Sequence, residues 1–222
     1  MLTGSKNYSD YTVLIDDNFI NSDFIAENNK ESLAILFLLM RNITLNNRTD
    51  ENNIKWHEVI FNMKTLYDDL NIKSNRKLQK DSIILAIDNL IVNGVFQCDT
   101  DLSKTNVYEL IRLECQLVKN NFTMMTYKEF KPIFEYKKQR IDNFNLFNTY
   151  LVLKKYSNTK TKVCYPSIDN LKFTCNISSN ATMSKYINIL EELQLISCKR
   201  GQRYTDGKGD IKKSNNIYTI LA

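Results

Sequence analysis

Apolar residues recur at helical spacing in three stretches of each half of the chain, and each third stretch runs into short β-type segments. In the first half, an extended piece at 11–15 precedes an eight-residue apolar run, LAILFLLM at 33–40, read as the body of a helix over 30–42. Glu31 near its start and Arg41 near its end both suit the helix dipole. The polar stretch 45–53 predicts a loop, and 55–70 a second helix. Ile83, Ile84, Ile87, Leu90 and Ile91 follow the 3/4 spacing of one buried face, predicting a third helix over 76–93 that stops at Gly94, a favourable C-terminal cap. Strands are expected at 95–98 and 106–113, joined by the polar loop 99–105. The second half has the same order: extended at 122–125, a helix at 140–156, a polar loop at 157–162, and a short helix opened by Pro166-Ser167. A helix from a Ser178/Ser179 cap to 193 follows, then a strand at 195–198, a long polar tip at 199–215 and a return strand at 216–221.

The two halves also match residue by residue. Asn106-Val107-Tyr108-Glu109-Leu110 returns as Asn216-Ile217-Tyr218-Thr219-Ile220, and LIVNGVFQC from Leu90 returns as LEELQLISC from Leu190. Met63 and Asn71-Ile72 match Ile168 and Asn176-Ile177; Thr12 and Phe19 match Thr123 and Phe130. A unit of roughly a hundred residues is a duplicated domain rather than a solenoid repeat of about 20–50. The expected fold class is mainly α with small β-hairpins (α+β), as two tandem winged-helix domains: 1–113, a linker at 114–121, and 122–222.

The wording Pro166-Ser167-Ile168, then Asn176-Ile177-Ser178, then LEELQLI from Leu190 resembles the DNA-binding domains of Gram-positive plasmid and phage replication proteins and related regulators. Gln194 and Asn176 stand where that class has glycines, and one residue is inserted near 177–179; asparagine tolerates the left-handed turn conformation better than most non-glycine residues. The resemblance covers the second unit, and reaches the first only through the repeat, where 73–80 adds about five residues before the third helix. It implies a sequence-specific double-stranded DNA-binding protein, a homodimer on repeated or inverted sites. Its use would be either replication initiation or transcriptional control, with the corresponding machinery as partner. A third reading, from another class, is a winged-helix protein adaptor.

Charge sharpens this. Residues 1–113 hold 12 Lys+Arg against 16 Asp+Glu, and 114–222 hold 18 against 9, so the second half is the one suited to a polyanion. Met183, Ile187, Leu190 and Leu193 make the buried stripe of the last helix, leaving Asn180, Thr182, Ser184, Lys185 and Asn188 to read bases. The tip carries Lys199, Arg200, Arg203, Lys208, Lys212 and Lys213 against Asp206 and Asp210, a wing suited to phosphates. In the first unit, Lys73, Arg76, Lys77 and Lys80 are candidates for secondary DNA contact, but its wing, DTDLSKT, is short and acidic. That unit is open to DNA contact or to a protein interface, and the 33–40 helix to core packing or dimerisation.

Enzymatic chemistry is not expected. His57, the one histidine, is placed on a helix, and neither a Cys/His cluster at metal spacing nor a glycine-rich nucleotide loop occurs, so neither metal nor cofactor is expected. The pairs Asp16-Asp17, Asp68-Asp69 and Glu191-Glu192 read as solvated surface, and the five cysteines as reduced core residues, with Cys98 and Cys198 on buried strands. The longest clean apolar run is too short to cross a membrane, no signal peptide is evident, and a cytoplasmic location is expected.

Overall fold

A computed structural model describes residues 12–49, 51, 53–73, 75–116, 121–138, 140–205, 207 and 210–221, with backbone alone at 45–47 and 211–213. Helices and small antiparallel sheets mix in an α+β arrangement. Strand β1 (Thr12–Asp16) pairs antiparallel with β5 (Phe122–Thr126), one strand from each half, with Leu14 opposite Met124. Between them in sequence lie α1 (Ser22–Glu27), α2 (Ser32–Arg41), β2 (Ile43–Thr49), β3 (Lys55–Phe61), α3 (Met63–Asp69), α4 (Lys77–Val92) and β4 (Ile111–Cys115). After β5 come α5 (Tyr127–Glu135), α6 (Asn143–Tyr156), β6 (Val163–Cys164), α7 (Ile168–Thr174) and α8 (Asn180–Glu192), then β7 (Ile196–Lys199), β8 (Arg203–Thr205), β9 (Ile211–Lys213) and β10 (Ile217–Ile220).

The apolar run at 33–40 explains the centre of the molecule. A helix apolar on every side must be enclosed on every side, and Leu33 through Leu39 are at most 2% exposed. This helix, α2, packs against α6, and Phe37 stacks on Phe130 at 4.8 Å and lies 6.1 Å from Phe147. The helix is core, so the dimerisation surface weighed for it is not available. Polar contacts also cross between the halves. Lys30 pairs with Asp142 at 2.5 Å, and Lys155 donates to the carbonyls of Asp17 and Ile20 at 2.7 and 2.6 Å. Asp69 accepts from Arg41 at 2.5 Å and from the Tyr127 hydroxyl at 2.7 Å. Glu129, 3% exposed, closes the capping box of α5 with Thr126 and accepts from Tyr150 at 2.6 Å and from Lys154.

Several expectations are corrected. The stretch 45–53 is not simply a loop: β2 runs to Thr49 and pairs with β3. The helix over 55–70 is a strand followed by a helix, divided at Asn62, whose side chain accepts from the Thr65 amide at 2.8 Å; His57 therefore lies on β3. Of the linker 114–121, Glu114 and Cys115 complete β4. The strand expected at 95–98 is reduced to one bridge, Gln97 to Glu114, and that expected at 106–113 begins only at Ile111. The matched pentapeptides are not in equivalent places. Tyr108 is 70% exposed, whereas Tyr218 is wholly buried and paired with Cys164. The corresponding place on β4 belongs to Leu113, paired with Val59. The paired carboxylates are not merely solvated, since Asp17, Asp68, Asp69, Glu191 and Glu192 all hold partners. Cys115, Cys164 and Cys175 are buried, and burial pushes the Cys115 and Cys175 thiols up to about 12; Cys98 and Cys198 are only half-buried. Among the described residues, no helix is long and apolar enough to cross a membrane.

Candidate nucleic-acid interface

Three elements of the second half build one polar surface: α7, α8 and the hairpin that follows. Ser167 caps α7 by accepting from the Asn170 amide at 3.0 Å, and Leu171 and Thr174 bury its inner face. The chain then turns at Asn176, whose φ of 52° lies in the left-handed region. Its neighbour Ile177 donates back to the Lys172 carbonyl at 2.9 Å, which closes the helix end and releases the chain toward α8. Ser179 caps α8 through the Thr182 amide at 3.4 Å. Met183, Tyr186, Ile187, Ile189 and Leu190 face the core, so the opposite face is fixed by helical geometry and presents Asn180, Ala181, Ser184 and Asn188 to solvent. At its far end Gln194 takes φ 57°, and Leu195 donates to the Leu190 carbonyl at 3.0 Å. Gly94 and Asn71 hold the corresponding places around α4, at φ 70° and 55°.

The hairpin is tied to this helix. Strands β6, β10 and β7 form an antiparallel sheet in that order, with Tyr218 opposite both Cys164 and Cys198. Glu191 on α8 accepts from the Cys198 amide at 2.9 Å. Beyond β7 the tip is not all loop, because β8 and β9 pair with Arg203 opposite Lys213. At its base Gly201 lies against the facing strand so closely that a Cβ there would sit 1.8 Å from the Ser214 carbonyl oxygen. Its amide donates to Asn216 Oδ1 at 3.0 Å, and Asn216 in turn donates to the buried Tyr218 hydroxyl at 2.9 Å.

The expected base-reading residues are divided by this geometry. Asn180, Ser184 and Asn188 share the exposed face; Thr182 and Lys185 are half-buried and line a groove of about 1040 Å³ between α8 and the start of α4. In the wing, Lys199 and Arg203 are exposed, Lys212 and Lys213 lie on β9, and Lys208 lies outside the described residues. Arg200 folds back on α8, donating to Asn188 Oδ1 and Glu191 Oε2, both at 2.6 Å. A half-exposed pair of this kind is worth at most about 1 kcal/mol. Lys73, Arg76 and Lys77 are exposed before and at the start of α4, while Lys80 Nζ lies 5.3 Å from the Tyr67 ring. The same helix also exposes Asp81 and Asp88. Sequence reasoning missed the segment between α5 and α6, where Lys137, Lys138 and Arg140 are exposed; the basic run KKQR at 137–140 was the available signal.

Residues 145–196, from the first turn of α6 to the start of β7, match a family described as a helix-turn-helix domain. No curated protein and no solved structure matches the chain. The match takes in α6, α7 and α8, with the turn at Asn176 between the last two, and this helix-turn-helix domain supports DNA as a partner.

Proposed function

We propose that the chain is a sequence-specific double-stranded DNA-binding protein with two tandem winged helices, in which α8 reads bases and the β7–β10 hairpin holds backbone. The observation carrying this is the pairing of a capped, solvent-facing polar helix, Asn180, Ser184 and Asn188, with a basic hairpin anchored to it through Glu191. Asparagine pairs bidentately with adenine, and hairpin cations neutralise phosphates. The biological role we favour is replication initiation for a plasmid or phage, with repression of such an element as the alternative. Selection from randomised duplex DNA, with affinity followed against salt, tests the core reading. An enriched motif with log K falling steeply against log salt supports it, and weak binding without a motif overturns it. Direct repeats in that motif favour an initiator, and inverted repeats a dimeric repressor.

A second reading concerns the first unit alone: α4 contacts protein rather than DNA. Leu78, Leu85 and Val92 recur every seven residues on one face and are 86%, 52% and 84% exposed. Asp81 and Asp88 lie between them, a pattern complementary to an apolar segment flanked by lysine or arginine and hostile to phosphate. On this reading Leu85→Asp leaves affinity for the selected duplex unchanged; a tenfold loss would return α4 to the DNA.

A further inference from the structure

The exposed face of α8 has two flanks, and both carry cations. At about 100° per residue, Asn188 and Ala181 mark the middle of that face. Glu191 and Asn180 lie to one side, and Lys185 and Glu192 to the other. Arg200 of the hairpin covers the first side through Asn188 and Glu191. On the second side, the segment joining α5 to α6 is docked by three contacts. The Tyr136 hydroxyl donates to Glu192 Oε2 at 2.9 Å, Lys138 pairs with Glu192 Oε1, and Lys185 Nζ donates to the Arg140 carbonyl at 3.3 Å. These contacts hold Tyr136, Lys138 and the Arg140 carbonyl against α8 and leave the Lys137 and Arg140 side chains exposed, without an ion pair among the described residues. Lys137, Arg140 and Lys185 line the groove beside α8, so their charge faces open space rather than the core.

We infer that Lys137, Lys138 and Arg140, with Lys185 beside them, form a second phosphate-binding element, gripping the DNA strand on the side of α8 opposite the hairpin. The inference rests on the base-reading role of α8 proposed above. A helix about 10–12 Å across nearly fills a major groove about 12 Å wide, so a sugar-phosphate wall runs along each of its flanks. The hairpin serves one wall. Lys137, Lys138, Arg140 and Lys185 are placed for the other, with Lys138 exchanging Glu192 for a phosphate. The first unit offers a contrast within the same chain. Its helix α4 has Leu85 and Asp88 where α8 has Lys185 and Asn188, and the residues before α2 read Asn28-Asn29-Lys30-Glu31, in which Lys30 is already paired with Asp142. The cationic flank thus accompanies the polar reading face and is absent where that face is acidic.

The experiment compares the intact chain with its Lys137→Ala/Arg140→Ala variant on the selected duplex, with Lys64→Ala/Lys104→Ala as a variant losing the same charge in the first half. Each phosphate contact contributes about 0.9 to the slope of log K against log salt, so the double variant is expected to flatten it by about 1.8. Affinity falls about tenfold or more near 0.15 M salt, the enriched motif is unchanged, and ethylation interference is lost along one strand only. The control variant keeps the parent slope. A parent that binds its motif while the double variant keeps the parent slope overturns this inference and leaves the role of α8 standing. A double variant that selects a different motif overturns it too, because the segment then reads bases. A parent that enriches no motif overturns the role of α8 and this inference with it.

Discussion

Gln194 and Gly94 end α8 and α4 in the same left-handed conformation, at φ 57° and 70°, with different residues. An L-residue held there costs about 1–2 kcal/mol relative to glycine. Glycine returns part of that, about 0.4–1 kcal/mol, through the larger freedom of its unfolded chain. Gln194 is exposed, so replacing it forfeits no packing, and its amide keeps the bond to the Glu191 carbonyl at 3.0 Å whatever the side chain. Gln194→Gly is therefore expected to stabilise the protein by about 0.5–1 kcal/mol, which for a chain of this size raises Tm by about 1–4 °C. Nothing lies within 4 Å of a Cβ built on Gly94, so Gly94→Gln loses a similar amount for backbone reasons alone. The double exchange should return close to the parent. Urea unfolding of the four proteins, with unchanged m-values, measures this. A destabilised Gln194→Gly, or a stabilised Gly94→Gln, refutes the backbone argument and shifts the cause to side-chain contacts.

Gly201→Ala forces the base of the hairpin open against the Ser214 carbonyl; DNA affinity falls at least about tenfold, or about 1.4 kcal/mol, while the thermal transition moves little, as read by fluorescence anisotropy and calorimetry. Glu191→Gln keeps an oxygen for the Cys198 amide but removes the negative charge beside Arg200, so affinity rises by up to about fivefold, the worth of a surface ion pair; a loss would show that the pair positions Arg200 for DNA. Glu129 stays buried, and although burial alone raises its pKa, Lys154 and the hydroxyl of Tyr150 hold the carboxyl below the usual 4.5. Its contribution is present above pH 4.5 and is lost as pH falls through the folded-state value; Glu129→Gln removes that acid-limb slope and, by leaving Lys154 uncompensated, costs about 3 kcal/mol at pH 7.

The parts legible in the sequence were those set by local chemistry. Ser167 and Ser179 announced two helix starts, Gly94 a helix end, and the apolar run at 33–40 an enclosed helix. The β3–α3 stretch was misread because Trp56, Val59, Ile60, Met63, Leu66 and Leu70 keep 3/4 spacing straight across Asn62, so one long helix satisfies the pattern as well as a strand and a short helix. Pairing with β4, some fifty residues away, decides for the strand, and no local window contains that pairing. The pentapeptide match failed for a related reason. Similar residues at 106–110 and 216–220 meet different neighbours, and only the second set reaches a partner strand at Cys164. The polar face of α8 could be read from periodicity, whereas the half-burial of Lys185 depends on where Arg140 lies, some forty-five residues away.

The β1–β5 pairing has a consequence for synthesis. Leu14 leaves the ribosome early and its partner Met124 late, so at roughly 5–20 residues per second the first strand waits on the order of ten seconds with its edge open. Its inward residues Val13 and Ile15 are apolar and buried, and the backbone edge of the strand stays unpaired until β5 arrives. On a polysome the next nascent chain offers the same β5 a short distance away. Exchange of β1 between neighbouring chains is thus the misassembly this topology invites, and slow translation between the two strands lengthens the interval in which it can happen.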